Sequence, residues 1–301
     1  MPLTLVLCVL LLTPSVAAAQ AEPDPLSLVQ QGRRLSQDGK QAEALRLFRQ
    51  VLATSPDLFE AHLAAGMALD LEGEYREART HLTRAIALAP EEAKRTALNA
   101  MAVSHAFEGD AAAAATFYQQ VFDADMAADR AAAAAGTANA LGRVYLETGD
   151  TANAARWYRT GYETASRLPK APGSQHDLWE FRWVHAQGRI AARDGRADEA
   201  RRHVEAAREL VSARPSLKDE GPTLAYLAGY VALHLDDARL AAAELAKTDQ
   251  DDPFVLMLQA QALEKLGQPA KARGLWEQVL TRHGHSLQNA FARPAARKAL
   301  Q

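Results

Sequence analysis

The stretch from Gly66 to Pro90, "GMALDLEGEYREARTHLTRAIALAP", carries a residue pattern that returns through most of the 301-residue chain. Gly66 stands seven positions before a second glycine, Gly73, and the large apolar Leu82 follows that glycine after nine positions. A glycine just after a helical run can take the left-handed conformation that ends the helix. A small residue such as Gly66 lets a second helix approach closely. The stretch therefore predicts two helices packed as a hairpin.

The same pattern occurs seven times between about residues 25 and 284. The turn positions are Gly39, Gly73, Gly109, Gly149, Gly195, Asp236 and Gly267. Small residues stand seven positions earlier, at Gly32, Gly66, Ala102, Gly142, Gly188, Gly229 and Ala260. Large residues stand nine positions later, at Phe48, Leu82, Tyr118, Tyr158, Val204, Leu245 and Trp276. One hairpin buries too little apolar surface to be stable alone, so neighbouring hairpins are expected to stack.

The repeat resembles the tetratricopeptide repeat, because Gly39 and Gly73, like Pro56 and Pro90, stand 34 residues apart. A fixed period of this kind argues against an ordinary alanine-rich helix bundle. The resemblance implies an all-α fold, an α-solenoid of about seven helix hairpins with a C-terminal capping helix. It also implies that the first helix of each hairpin lines a concave groove in which partners bind.

The N-terminal segment, residues 1–20, has the pattern of a secretory signal peptide. An apolar run over residues 3–12 is followed by Pro14 and by three small residues at 17–19. The run is too short for a comfortable membrane span, so we expect a cleaved leader, with a retained anchor as the alternative. Cys8, the single cysteine, lies in this segment. These features predict an exported bacterial protein, periplasmic or secreted, whose mature chain has neither a disulfide nor a stable membrane span.

Departures from the period divide the mature chain. We expect repeats one to four over residues 21–168, an insert at 169–180, repeats five to seven over 181–285 and a capping helix over 286–301. In the insert, Asp177 and Glu180 are typical of a helix N-cap and its reciprocal acid, which would start the next helix near Leu178. "MAADRAAAAAG" at 126–136 has no helix breaker and predicts a lengthened helix, whereas the second helix of repeat six should be short. The capping helix should cover the open face of the last repeat and bend or break at Pro294.

Composition and motifs exclude several classes of function. A formal net charge of −3 leaves no excess of positive charge to neutralise phosphates, which argues against nucleic-acid binding. The sequence contains no His-Glu-x-x-His, no glycine-rich phosphate loop and no Gly-x-Ser-x-Gly. His283 and His285 flank one loop but are too few to hold a metal. We therefore expect no enzyme activity, no cofactor and no metal.

Polar residues on the first helices are the candidate binding residues. In repeat five they are spaced by three, four and four residues, so they share one helical face. The candidates are Asn139, Arg143, Arg182, His185, Arg189, Arg193, Tyr226 and Tyr230. Guanidinium groups bind carboxylates bidentately, and tyrosines offer broad contact with a hydrogen-bonding tip. These residues predict a protein or peptide ligand that presents an acidic segment or a carboxyl terminus. The resemblance places Leu71 and Phe254 in the same groove.

The same residues allow other interpretations. The arginines could form a solvated helix face paired with acids such as Asp194, and Tyr226 and Tyr230 could pack between repeats. Trp179 and Trp183 could form a rim or pack the insert. The function expected is a non-enzymatic interaction module, an envelope adaptor or assembly factor. The alternatives are a self-assembling, homo-oligomeric scaffold and an accessory protein of polysaccharide or envelope biogenesis.

Overall fold

The computed structural model describes residues 24–168 and 175–301, and the chain is all-α throughout these ranges, with no strand. The predicted leader therefore lies outside the described residues, as does the part of the insert before residue 175. No helix in the described ranges is long and apolar enough to cross a bilayer. Besides a 3₁₀ turn at Pro215–Leu217, these ranges contain fifteen α-helices: α1 Pro25–Gln37, α2 Gln41–Thr54, α3 Phe59–Glu72, α4 Tyr75–Leu88, α5 Glu91–Phe107, α6 Ala111–Ala127, α7 Ala131–Glu147, α8 Thr151–Ala165, α9 Gln175–Arg193, α10 Ala197–Ala213, α11 Gly221–His234, α12 Ala238–Leu245, α13 Pro253–Lys265, α14 Pro269–Leu280 and α15 Leu287–Ala299.

The first fourteen helices form seven hairpins, and each hairpin packs on the next. The odd-numbered helices form the inner face of the solenoid, where α3 contacts α1 and α5, and α11 contacts α9 and α13. All seven predicted turn positions have positive φ, between 69° and 94° at the six glycines and 63° at Asp236. The predicted α-solenoid with seven hairpins is thus confirmed, including the one aspartate that replaces a turn glycine.

The small and large residues of the pattern contact each other inside the hairpins. A Cβ atom added to Gly66 would lie 2.6 Å from Leu82 Cγ and 3.0 Å from the carbonyl oxygen of Ala78. Such distances are shorter than van der Waals contact, so only glycine permits this approach of α3 to α4. An added Cβ would also lie less than 3.0 Å from the large side chain at three other positions, namely at Gly32 from Phe48, at Gly142 from Tyr158 and at Gly229 from Leu245.

Two expectations about the irregular segments need correction. Asp129 has a φ of 54° and forms a turn between α6 and α7, so the stretch 126–136 contains a helix break that its alanines concealed. The following helix is lengthened as expected, since α7 has 17 residues and α3 has 14. Asp177 and Glu180 are not the predicted cap and reciprocal acid, because α9 already begins at Gln175. Both carboxylates instead accept from Arg214 Nη1, at 2.8 and 2.7 Å. The predicted short helix in repeat six is confirmed, since α12 has eight residues.

The C-terminal helix runs across the inner face of the solenoid. It continues through Pro294 without a break and packs against α13 and α14, as expected of a cap. It also packs against α5 and α7, which the sequence did not predict. As a result Leu71 and Phe254, which the resemblance placed in an open groove, are each only 1% exposed. The helix α15 therefore covers the last repeat, as expected, and also covers earlier repeats, which was not expected.

Two arginines and a histidine fasten this helix to the early repeats. Arg293 is 6% exposed, and its Nε donates to the carbonyl oxygen of Leu71 at 2.8 Å while its Nη1 donates to that of Leu280 at 2.9 Å. Arg297 Nη2 donates to the same Leu71 oxygen at 2.7 Å. The last carbonyls of a helix have no partner within it, so these guanidinium groups cap α3 and α14. His285 Nε2 lies 2.8 Å from Oδ2 of the buried Asp70 and adds a further connection.

Replacing Gly66 with alanine tests the close contact within the hairpins. Alanine favours a helix by up to about 1 kcal/mol over glycine, but here its methyl group collides with Leu82, so Gly66→Ala should lower the free energy of unfolding by about 1–3 kcal/mol. Gly274→Ala, in α14 with no atom within 4 Å of the added Cβ, should raise it. Urea denaturation measures both, and equal stability of the two variants would contradict the packing described.

Replacing Arg293 with methionine tests the attachment of α15. The change leaves the carbonyl oxygens of Leu280 and Arg282 without their Nη1 donor, whereas the Leu71 oxygen keeps Arg297. The free energy of unfolding should therefore fall by about 1–3 kcal/mol. Amide hydrogen exchange in α15 should also become faster. Lys298→Met, at an exposed position of the same helix, is the matched control and should change stability by less than about 0.5 kcal/mol. Unchanged exchange in the Arg293 variant would show that the tail is held by other contacts.

Candidate functional site

A cavity of about 690 Å³ opens on the inner face, lined mainly by repeats four, five and six, with further residues from repeats three and seven. Its volume falls within the range of about 300–1,000 Å³ that is usual for small-ligand sites. Leu287 and Gln288, at the start of α15, form part of its wall, so the tail helix leaves this section of the groove open. Six of the eight candidate residues line it, namely Asn139, Arg143, Arg182, His185, Arg189 and Tyr226.

Arg182 and Trp179 lie side by side at the cavity on α9. Arg182 is exposed, and its guanidinium carbon lies 4.9 Å from the centre of the Trp179 ring. Trp179 is 5% exposed and packs with Ala135 and Ala165 while its edge reaches the cavity. Trp179 therefore both packs the start of α9 against α7 and α8 and lines the cavity. Trp183 stacks on Tyr162 and is not part of the cavity lining. A guanidinium on an aromatic face keeps its N–H edge free for an anion.

Arg189 and Arg143 approach the cavity from two different helices. Arg189 on α9 is 7% exposed, and its Nη2 donates to the hydroxyl oxygen of Tyr158 at 2.9 Å. Arg143 on α7 has its guanidinium carbon 4.6 Å from the centre of the Phe254 ring. The Nε atoms of both arginines are buried without a hydrogen-bond partner among the described residues. The solvated-face interpretation therefore does not apply to Arg189.

His185 and Tyr226 form a stacked pair beside these arginines. Their ring centres lie 5.5 Å apart with an interplanar angle of 11°, and Phe181 contacts the histidine from within α9. Burial lowers the pKa of His185 well below its usual value, and the charges of Arg189 and Arg143 lower it further, so the imidazole is neutral at pH 7. Burial raises the pKa of Tyr226 to about 12, so the phenol keeps its proton.

Tyr230 and Arg193 lie outside the cavity lining, around a buried carboxylate that the sequence analysis missed. Tyr230 Oη lies 3.3 Å from Oε2 of Glu147, and Arg193 Nη1 lies 3.9 Å from the same oxygen. Burial raises the pKa of Glu147, and the charges of Arg143, Arg189 and Arg193 act in the opposite direction. For Tyr230 the packing interpretation is therefore correct. Glu147 stands four residues after Arg143, so helical spacing alone could have placed both on one face.

The arrangement of charged and hydrogen-bonding side chains can bind an anion. Positive charge comes from Arg143, Arg182 and Arg189, and the acids Asp249 and Asp252 also line the cavity. Within residues 24–168 and 175–301 no group of three or more histidine, cysteine and carboxylate side chains could hold a metal ion. The arginine side chains are held in place by helix packing and can donate hydrogen bonds to a carboxylate.

Comparison with known proteins agrees with the repeat architecture. Tetratricopeptide repeat families match residues 29–93, residues 135–160 with 184–206, and residues 254–286. A tetratricopeptide repeat protein from Parabacteroides merdae is similar over 92% of this chain and 97% of its own, with 12% identity and a TM-score of 0.55. The repeats of a putative kinesin light chain from Podosopora anserina cover 64% of this chain and 99% of their own, with 18% identity and a TM-score of 0.52.

The sequence has no significant match among curated proteins. At these identities the solved structures support the fold alone, while the family matches fall in the first repeats, the middle repeats and the last repeat. The matched segments coincide with hairpins whose turns, close contacts and stacking have been described above. The chain is a tetratricopeptide repeat protein.

Proposed function

We propose that this protein is a non-enzymatic adaptor or assembly factor that holds an acidic segment of a protein partner in the cavity between repeats four and six. Repeats of this family generally mediate protein–protein interaction, and their inner face is an extended binding surface. The observation that carries the proposal is the set of arginine, histidine and tyrosine groups that line one 690 Å³ cavity.

The location of the cavity restricts how a partner can bind. The tail helix covers much of the inner face, since it packs against α5, α7 and α13. A partner on that face therefore enters the section over α7, α9 and α11 that remains open. Buried arginine and aromatic groups at such a site are typical of the few residues that supply most of the affinity in an interface.

The leader pattern of residues 1–20 supports a place for this adaptor in the bacterial cell envelope, in the periplasm or outside the cell. An acidic, unfolded segment of an envelope or secreted protein fits the cavity by charge. The arginines of the cavity would bind such a segment, and the stacked repeats would hold the rest of the partner near the cavity.

Reversing the charge of Arg182 tests the proposal without disturbing the fold. Arg182 is exposed and makes no ion pair in the described structure, whereas Arg189 and Arg193 are near the buried Glu147, where an added carboxylate would destabilise the helices. Arg182→Glu should weaken binding at least tenfold in a screen of eight-residue synthetic peptides by fluorescence anisotropy, with acidic peptides preferred.

The matched control is Arg208→Glu on the outer helix α10, where Arg208 pairs with Glu205 on the surface. This variant should bind peptides as the unmodified protein does. Binding should also weaken as salt rises from about 0.1 to 1 M, because the screening length falls from about 10 Å to 3 Å. No preference for acidic peptides, or equal losses in the two variants, would refute the proposal.

The pH dependence of binding follows from the neutral state of His185. An ordinary histidine gains a proton as pH falls through about 6.5 and would then strengthen anion binding. His185 faces Arg182 and Arg189 on its own helix, Arg143 on α7 and Tyr226 on α11, and burial with these arginines lowers its pKa well below that range. Affinity for an acidic peptide should therefore stay constant within twofold from pH 8 to pH 6. A rise of fivefold or more would show that His185 titrates normally.

A further inference from the structure

Two histidines face each other within the second hairpin, and neither of them lines the cavity described above. His62 lies in the first turn of α3 and His81 lies on α4, and both side chains are half-buried. Their Nδ1 atoms lie 3.0 Å apart, and their ring centres lie 5.2 Å apart. Two imidazole nitrogens this close can share a proton, and they can also bind one metal ion together.

His62 is oriented by a hydrogen bond on the other side of its ring. Its Nε2 lies 2.9 Å from the carbonyl oxygen of Pro56, in the loop between α2 and α3. A carbonyl oxygen only accepts, so the proton of the neutral ring stands on Nε2, and Nδ1 presents a lone pair to His81. Histidines that bind metal ions almost always donate their other ring N–H to a carbonyl or carboxylate oxygen or to water, which fixes the ring. His62 therefore has the hydrogen bond that is typical of a metal ligand.

The surroundings of His81 keep its ring neutral. Burial lowers the pKa of His81, and interaction with His62 and Arg49 lowers it further, whereas Glu77 acts in the opposite direction. The ring is therefore neutral at pH 7, and the neutral imidazole is the form that binds metal ions. Since His62 Nδ1 accepts, His81 Nδ1 donates the hydrogen bond between the two rings. When that proton moves to Nε2 of the same ring, both Nδ1 atoms present lone pairs and no proton is released.

The distance between the two Nδ1 atoms is close to that in a metal chelate. With metal–nitrogen bonds of about 2.0–2.1 Å and tetrahedral angles, two ligand nitrogens lie about 3.3 Å apart. The separation in this structure is 3.0 Å, so small rotations of two half-buried side chains bring the nitrogens to that distance. No third histidine, cysteine or carboxylate completes a metal-binding group with them in the described ranges. A metal ion bound to this pair therefore keeps water at its other coordination positions, as an open site does.

We propose that His62 and His81 bind one divalent transition-metal ion through their Nδ1 atoms. Imidazole nitrogen is a preferred ligand of Zn²⁺, Ni²⁺ and Cu²⁺, whereas Mg²⁺ and Ca²⁺ prefer oxygen ligands. The ion joins α3 to α4 and, through the bond of His62 to Pro56, to the loop that follows the first hairpin. This site goes beyond the proposed function, because it lies in repeat two and shares no residue with the cavity.

Isothermal titration calorimetry of the full chain with ZnCl₂ tests the site, on protein that is prepared without a histidine tag and treated with a chelator. The affinity for Zn²⁺ should fall at least tenfold in His62→Gln and in His81→Gln, because either change leaves a single nitrogen ligand. His203→Gln, on the outer helix α10, removes a histidine that contacts only Glu199 and is the matched control, with unchanged affinity. MgCl₂ should give no binding that depends on His62 or His81. Unchanged Zn²⁺ affinity in either glutamine variant of the pair would overturn the proposal.

Electron paramagnetic resonance with Cu²⁺ separates a ligand role of the two histidines from a structural one. The spectrum of the unmodified protein should show coupling to two imidazole nitrogens, and each glutamine variant of His62 or His81 should lose one of them. A merely structural role would alter stability and leave the number of coupled nitrogens unchanged. Circular dichroism of the metal-free variants checks that their helical content is retained. Identical Cu²⁺ spectra in the unmodified protein and in both variants would contradict the site.

Discussion

The close contact between a glycine of one helix and a large side chain of the next governs both the scaffold and the site. At Gly142 a Cβ would lie 2.9 Å from Tyr158 Cγ, so the absence of a side chain there allows α7 and α8 to approach. That approach fixes Tyr158, whose hydroxyl receives the Nη2 hydrogen bond of Arg189 from the next hairpin. The residue that closes one hairpin thereby orients a cationic group of the cavity. Packing of repeats and presentation of the arginines are consequences of the same constraint.

The tail helix gives the solenoid a more specific shape than stacked hairpins alone would have. By capping α3 and α14 at once, Arg293 connects the second hairpin to the seventh across the inner face. The helix covers apolar residues of both regions, so the inner face is largely a packed interior. The section beside Leu287 and Gln288 stays open, and Arg143, Arg182 and Arg189 lie in this section. The position of α15 therefore determines which part of the inner face can meet a ligand.

The repeat architecture was predictable because each feature depends on residues close in sequence. The positive φ at Asp236 followed from its position in the repeat, although the residue is not glycine. The turn at Asp129 was not predictable by the same argument, since the surrounding alanines favour a helix and only packing of α7 decides where it ends. The course of α15 depends on contacts such as Arg293 with Leu71, more than 200 residues apart, which no local pattern reveals.

Prediction of the candidate site from the sequence was limited in the same way. Helical spacing alone placed His185 and Arg189 on one face of α9, and both line the cavity. Spacing could not show that Tyr230 is fully buried or that Arg193 lies beside Glu147, because these contacts join side chains of three different helices, α7, α9 and α11. It also could not distinguish an exposed arginine from a buried one with an unpaired Nε.

The most direct measurement is a crystal structure of the protein grown with an acidic eight-residue peptide. The proposed function predicts a peptide carboxylate at Arg182 in the cavity, with α15 lying along α5 and Arg293 bonded to the Leu71 carbonyl. An empty cavity with the peptide bound on the outer helices, or a tail helix detached from the inner face, would contradict this prediction.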